Sequence, residues 1–393
     1  MYFALTEDQK LFQSSVRKYL ASQDKIAAAR MFRAGDISRY ERIWSDLADM
    51  GAMAINIPEE YDGAGLSQVD VLPIMEEVGR ILLPGVYAET VAFATPVLLQ
   101  YGTEQQKQAY LPQIASGQRK CSLAIAEPGM MSFREEAFAM KAVRTDEGYL
   151  LNGIKTFVMD GDAVDALIVA AQVDGAPALF IVDKETARWS ARRLQVIDET
   201  RGVTEVHFDQ LTVASTALLG KVGQGWDILQ YGYQSLNAAI AAMQVGEIEE
   251  VVEMCAEYAR TREQFGHPIG VFQAVKHRIV EMKVELELAK SLVYYANWAV
   301  AEQTGDMRSA VASARAFTTE ASREVAAHNV QPHGGIGFTT EIDCHLFLKR
   351  ARMMESYLGS VQDFYEIIIS EQGWRVNEKA VRQSEILQSN AAT

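Results

Sequence analysis

Two short strings set a cation and a pair of glycines beside turns, and taken alone each is better read as ordinary helix-end structure than as chemistry. Arg262, in "YARTREQFGHPIG", follows a predicted helix and precedes Phe265, while "QPHGG" sets Gln331 three residues ahead of Gly334 and Gly335. An arginine can hold an anion through charge-assisted hydrogen bonds, and paired glycines let backbone approach a ligand closely. Each also has an ordinary reading, a surface arginine at a helix end and a glycine cap. The string "ESYLGSVQD" raises the opposite question. In it an apolar residue, Leu358, sits just before the glycine of a helix-breaking turn, with the acids Glu355 and Asp363 on either side.

Other constellations carry less. "GKVGQG" places glycines between a strand and a helix, but its spacing is neither that of a dinucleotide loop nor that of a P-loop, and it reads as a hinge. Of the six histidines, His328 and His333 are five apart with no third ligand in sight, so no metal site is expected. Cys121, Cys255 and Cys344 are few, odd in number and widely spaced, which predicts core thiols in a reducing compartment. No nucleophile elbow and no Cys–His pairing stands out.

The scaffold that must position these residues is large, with 393 residues of which 49% are hydrophobic, enough for two or three domains. A formal net charge of −15 argues against nucleic acid, which is bound mainly through clustered Lys and Arg. An anionic small ligand would need a local pocket of positive charge or backbone amides. "MYFALTEDQKLF" turns charged at once and no apolar run approaches the roughly 20 residues that span a bilayer, so a cytoplasmic protein is expected.

The pattern predicts an α+β chain that is mostly α, without internal repeats. In "LTEDQKLFQSSVRKYL", Thr6 and Gln9 have capping-box spacing and Leu11, Phe12, Val16, Tyr19 and Leu20 form an apolar face; Thr103 and Gln106 repeat the device in a helix that Gly117 stops. Between them "NIPEEYDGAGLSQVD" is a turn-rich loop leading into another helix. These define an N-terminal helical domain over 1–120. Strands such as "YLLNGIKTFVM", "ALIVAAQV" and "PALFIVD" make a middle antiparallel β domain over 121–222. Long helical periods then form a C-terminal four-helix bundle over 223–393, fraying at "QSNAAT".

Six strings occur in a fixed order on this layout: "PEEYDGAGLS", "AIAEPGMMS", "LNGIKTFVMDG", "LLGKVGQGW", "YARTREQFGHPIGVFQAVKH" and "QPHGGIGFTTEIDCHLFLKRA". Together they resemble the acyl-CoA dehydrogenase family over nearly the whole chain. The resemblance implies a dimer of dimers with FAD at the subunit interface. It also implies a reaction in which a carboxylate removes the α-proton of an acyl-CoA while the flavin takes a hydride from the β-carbon. Such chemistry needs the thioester polarised and the base held on the face opposite the flavin.

Carried over residue by residue, the resemblance answers the question of Leu358. The family's base is the Glu of Ile-Tyr-Glu-Gly-Thr, and here "SYLGS" puts Leu358 in its place. The alternative base position, on the first long C-terminal helix, falls on Leu236. An alkyl side chain accepts no proton, and losing a general base costs roughly 10²–10⁴ in rate. Glu355 and Asp363 lie at other helical phases and read as helix surface.

The flavin-facing strings have changed as well. Where the family has Thr-Glu-Pro-x-x-Gly-Ser-Asp, this chain has Ala126 through Phe133, in which Met130 and Met131 add bulk and Ser132 keeps a polar contact. Where it has Trp-Ile-Thr-Asn-Gly, this chain has Phe157 through Gly161, with Met159 replacing the hydroxyl. The strings lent to a neighbour's cofactor remain: Arg262, Phe265, Gln331, Gly334 and Gly335.

The expectation is therefore a subunit without a catalytic residue, in a hetero-oligomeric FAD-dependent acyl-CoA dehydrogenase, that completes the FAD site of a homologous catalytic subunit. "HGGIGFTTEIDCHLFLKRA" followed by Leu-Gly-Ser resembles the α2β2 enzymes of bacterial steroid side-chain degradation, with an electron-transferring flavoprotein as the acceptor that likeness implies. The alternatives are a homo-oligomeric dehydrogenase with a relocated base, and a flavin-free assembly or CoA-binding subunit.

Overall fold

Local capping starts the N-terminal helices where the sequence signals them. In a computed structural model describing residues 5–129 and 138–374, Thr6 and Thr103 form full capping boxes with Gln9 and Gln106 at the heads of α1 (Glu7–Ser22) and α7 (Glu104–Ala115). Between them lie α2 (Ala27–Arg33), α3 (Ser38–Asp49), α4 (Gln68–Arg80), α5 (Tyr87–Glu89) and α6 (Thr95–Tyr101), with a π-turn at Thr90–Ala94 joining the last two. Val16 and Leu20 of α1 are buried, but Leu11 is 69% exposed, because the buried stripe runs through the second half of the helix. Ser132, Met130, Met131 and Phe133, like the tail from 375 onward, lie outside the described residues.

Eight strands follow: β1 (Cys121–Ala124), β2 (Lys141–Thr145), β3 (Gly148–Met159), β4 (Ala166–Val173), β5 (Ala176–Asp183), β6 (Ser190–Arg193), β7 (Val203–Ala214) and β8 (Leu218–Leu219). The order is β6-β7-β3-β2-β4-β5-β8, with β1 on β4. Most pairings are antiparallel, as the hairpin signals predict, but β4 pairs parallel with both β1 and β2. Its near-continuous apolar run "ALIVAAQV" suits a strand covered on both faces. The turn at Asp174-Gly175 has both residues at positive φ, the geometry of a tight hairpin.

The C-terminal helices are α8 (Gly225–Thr261), α9 (Gln273–Glu302), α10 (Met307–His333), α11 (Cys344–Met354) and α12 (Val361–Glu371), with a small hairpin, β9 (Glu263–Gln264) and β10 (His267–Pro268), after α8. Helix α8 is apolar nearly all round and buried from Gln234 to Ile248, as expected of a helix packed by α4, α9 and α10 at once. Arg80 of α4 ties it further, reaching Glu249, Glu250 and Glu253 at 3.0, 2.7 and 2.6 Å. The three cysteines are buried and unpaired by disulfide. Among the described residues no helix is long and apolar enough to cross a membrane.

The crossing of α4 over α8 depends on two glycines. A Cβ at Gly246 would lie 1.8 Å from the carbonyl oxygen of Glu76, and one at Gly79 would lie 1.9 Å from that of Met243. Backbone cannot step aside as a side chain can, so Gly246→Ala is expected to destabilise the chain by about 1–3 kcal/mol. Gly305→Ala, where a Cβ meets nothing within 4 Å, is the control. Urea unfolding of the two variants checks this, and equal midpoints would show that the helices have room to part.

Candidate functional site

The residues read as a cofactor clamp lie on one edge of the helical bundle. Helix α8 ends with Arg262 as its extended cap, the Arg262 N–H donating to the Tyr258 carbonyl at 2.8 Å. The chain then turns through β9 and β10 with Phe265 and Gly266 at φ +55° and +77°. Glycine adopts this region freely, whereas for phenylalanine it costs roughly 1–2 kcal/mol. The strained turn holds the Phe265 ring 89% exposed, edge-on to Phe272 with ring centroids 6.0 Å apart.

The second half of the clamp ends α10. Gln331 is exposed in the last turn, Gly334 takes φ +60°, and a Cβ at either Gly334 or Gly335 would meet nothing within 4 Å. About 70 residues of sequence separate the halves, yet Tyr258 stacks on His333 with ring centroids 4.1 Å apart. His333 donates from Nδ1 to the Asn329 carbonyl at 2.7 Å, and burial lowers its pKa, so it is a neutral, fixed spacer. The Arg262 guanidinium has no ion-pair partner among the described residues. An exposed cation, an amide and open glycine backbone thus lie at the two helix ends that the Tyr258–His333 stack joins.

The two positions where the resemblance implies a base also come together. Leu358, 7% exposed, stands at φ +61° between α11 and α12, and its carbonyl accepts a hydrogen bond from Tyr233 of α8. Tyr233 is one turn before Leu236, which is fully buried. Both positions are apolar. Glu355 is held by Arg323 and Arg352 at 3.0 Å each, and Asp363 closes a capping box with Ser360 at the head of α12. Neither is spare for proton transfer.

One carboxylate beside this turn was invisible in the sequence. Glu89 is fully buried and accepts from the Tyr357 hydroxyl at 2.5 Å and from Arg201 at 2.7 Å. The partners lie 268 and 112 residues away in sequence, so no local spacing could have announced it. Arg315, also fully buried, bonds the carbonyls of Met354 and Tyr357 at 3.2 and 3.0 Å and so fixes the turn that carries Leu358.

Comparison with known proteins decides the family. Residues 6–118 match the acyl-CoA dehydrogenase N-terminal domain and residues 223–371 the acyl-CoA dehydrogenase C-terminal domain. A mitochondrial 2-methylacyl-CoA dehydrogenase of Solanum tuberosum is 31% identical over 374 residues, covering 91% of this chain and 88% of that protein. The chain belongs to the acyl-CoA dehydrogenase family. The acyl-CoA dehydrogenase FadE27 of Mycobacterium tuberculosis is 30% identical, over 82% of this chain and 85% of its own. A solved FAD-dependent dehydrogenase superposes with a TM-score of 0.85 at 26% identity, over 95% of this chain and 100% of its own. The protein is thus a flavoprotein of a family of FAD-dependent oxidoreductases acting on CH–CH bonds, with the family's helical, sheet and helical layout.

Against that family, the chain's own flavin-facing wall can be tested for fit. Ala126 and the 155–160 segment do meet, the Thr156 N–H donating to the Ala126 carbonyl at 2.9 Å. The polar groups there are already committed. Lys155, fully buried with its pKa lowered to about 8 by desolvation, is tied to Glu127 at 2.7 Å and to the Ile125 carbonyl at 3.0 Å. Met159 is 1% exposed, and Phe157 stands at φ +52° with its ring half exposed. At Ala126 and Met159, where the family carries hydroxyls, this wall offers a flavin ring apolar side chains. The outward edge at Arg262 is where the donor set fits FAD, at its pyrophosphate and adenosine end.

Proposed function

We propose that this protein is the subunit of a hetero-oligomeric FAD-dependent acyl-CoA dehydrogenase that lacks the catalytic Glu and completes the FAD site of a homologous catalytic subunit. One observation carries the reading: both base positions, Leu358 and Leu236, are apolar and buried, while Arg262, Phe265, Gln331, Gly334 and Gly335 stand exposed on an edge left open. Bound FAD supplies hydride acceptance from the β-carbon of the acyl-CoA. This chain's residues do no proton transfer. Arg262 neutralises pyrophosphate through charge-assisted bonds, and Gly334 and Gly335 admit the adenosine half against bare backbone. Ser132 belongs to the same proposal as a polar contact to flavin. The acyl group carried into it is a steroid side chain, on the likeness of the His333–Ala351 string with Leu358-Gly359-Ser360 following, and an electron-transferring flavoprotein is the acceptor.

The homo-oligomeric alternative finds one specific support in Glu89, a buried carboxylate beside the Leu358 turn. Its Oε1 already serves an arginine and a tyrosine, so that oxygen is engaged by two donors and not open to a substrate proton. A flavin-free assembly subunit would leave the strained, exposed Phe265 turn without a use. Expressing the chain alone and with a homologue that carries the missing Glu separates the three, by measuring bound flavin and acyl-CoA oxidation with an artificial acceptor. Flavin and turnover only in the mixture support the proposal. Turnover by the lone chain favours a relocated base, and no flavin in either favours the assembly role.

A sharper expectation concerns Leu358→Glu in the lone chain. It restores a carboxylate but leaves Ala126 and Met159 on the flavin-facing wall, so no dehydrogenase activity should appear. Acyl-CoA-dependent bleaching of flavin in the mutant homomer would show that the wall is adequate after all.

A further inference from the structure

Buried polar atoms without partners are rare in folded proteins, and each one needs an explanation such as a bound water or proton. Among the described residues twelve such side-chain atoms occur, and seven of them belong to six residues: Glu89, Asp160, Arg201, Glu247, Arg315 and Arg350. All six are 5% exposed or less. They form one connected junction between the N-terminal helices, the sheet and the C-terminal bundle. Arg201, after the sheet's β6, reaches Glu89 on α5, which takes the Tyr357 hydroxyl from the Leu358 turn. Arg350 of α11 bonds Asp198 at 2.5 Å and Thr200 at 2.6 Å, while Arg315 of α10 bonds the Tyr357 carbonyl. Asp160 sits at the outer end, against Gly202, with the half-exposed Arg193 at 3.6 Å. Glu247 sits at the inner end, accepting from Ser322 at 3.3 Å.

The charges do not balance without a proton. Three guanidinium groups (Arg201, Arg315, Arg350) face four carboxyl groups (Glu89, Asp160, Asp198, Glu247). With every acid ionised, this buried set carries a net −1, and a buried uncompensated charge is costly. One bound proton brings it to zero. We infer that this junction is a hydrated proton-binding joint, in which ordered water bridges the unpaired atoms and one proton, on Asp160 or Glu247, keeps the contact between the three parts of the chain neutral. It stands apart from the flavin role proposed above.

The surroundings of both acids agree with this. Asp160 faces Arg201 and Arg193 but also Asp162, Glu89 and the buried Tyr40; Glu247 faces Arg350 and Arg315 but also Asp198. Burial outweighs the cations in each case, and both carboxyls are pushed up to about 7. In the unfolded chain they titrate near 4. The acid that keeps the proton therefore holds it in the native state between about pH 4 and 7, and the stability it confers is lost as pH rises through about 7.

The test is urea unfolding of the full chain between pH 5.5 and 8.5, for wild type, Asp160→Asn and Glu247→Gln, with infrared difference spectra of wild type minus each variant at pH 6. The number of protons released on unfolding, read from the slope of stability against pH, should fall by up to about one in a variant. The difference spectra should show the carbonyl stretch of a protonated carboxylic acid. Glu76, also raised to about 7 but held in a separate cluster with Gln13, contributes equally to all three proteins and cancels. Slopes that match wild type in both variants, with no such band, overturn the inference. Wild-type stability that climbs steadily from pH 5.5 to 8.5 overturns it even where a variant does not fold.

Discussion

Arg262→Ala, placed in a complex with a catalytic homologue, is expected to lose FAD on dilution and to recover near-normal turnover at saturating cofactor. The guanidinium is exposed and has no ion-pair partner among the described residues, so its removal leaves the fold intact. What it removes is a cation from a pyrophosphate. A hydrogen bond to a charged group is typically worth about 1.5–3 kcal/mol, or roughly one to two decades in affinity. Because Arg262 touches no reacting atom, the effect falls on occupancy and not on the chemical step. Flavin absorbance after gel filtration, followed by titration with FAD, reads both quantities. The equivalent arginine change in the partner should matter less, because the wall that Ala126 and Met159 build on this chain offers flavin little. If the mutant complex keeps FAD as tightly as wild type, Arg262 is an ordinary helix-end arginine and the clamp reading fails.

The second large effect is on stability, at Arg350. This side chain is fully buried, as is Asp198, its partner at 2.5 Å, and together with Thr200 they pin the loop after β6 to α11. Arg350→Leu strands the Asp198 carboxylate without a cation. Breaking a buried pair from one side costs about 3–5 kcal/mol, some two to four decades in the folding equilibrium. The double variant Arg350→Leu with Asp198→Leu removes both charges and should recover much of that loss, since apolar replacement of a whole buried pair is often close to neutral. Chemical unfolding of the single and double variants gives the coupling directly. A single variant within about 0.5 kcal/mol of wild type would mean that water or a second cation already compensates Asp198.

Much of this was legible in the sequence. The capping boxes at Thr6 and Thr103 involve residues three apart, so the physics that makes them is written in adjacent letters. The same holds for the hairpin at Asp174-Gly175 and for the run "ALIVAAQV". The family could be read because its strings keep their order. Leu11 was misjudged because periodicity shows which residues share a helix face, not how far along the helix that face stays covered.

Only the tertiary structure decided what brings these parts together. Tyr258 stacks on His333, which brings the last turns of α8 and α10 together. The base positions converge because Tyr233 reaches the Leu358 carbonyl. The junction of Glu89, Arg201, Glu247 and Arg350 joins residues that lie far apart in sequence, on three helices and the loop after β6. A buried ionic contact has no periodicity and no preferred spacing, because its partners are chosen by which surfaces the fold presses together. Sequence therefore determined the elements and the family, and packing alone determined which charges share a dry interior and must settle their balance there.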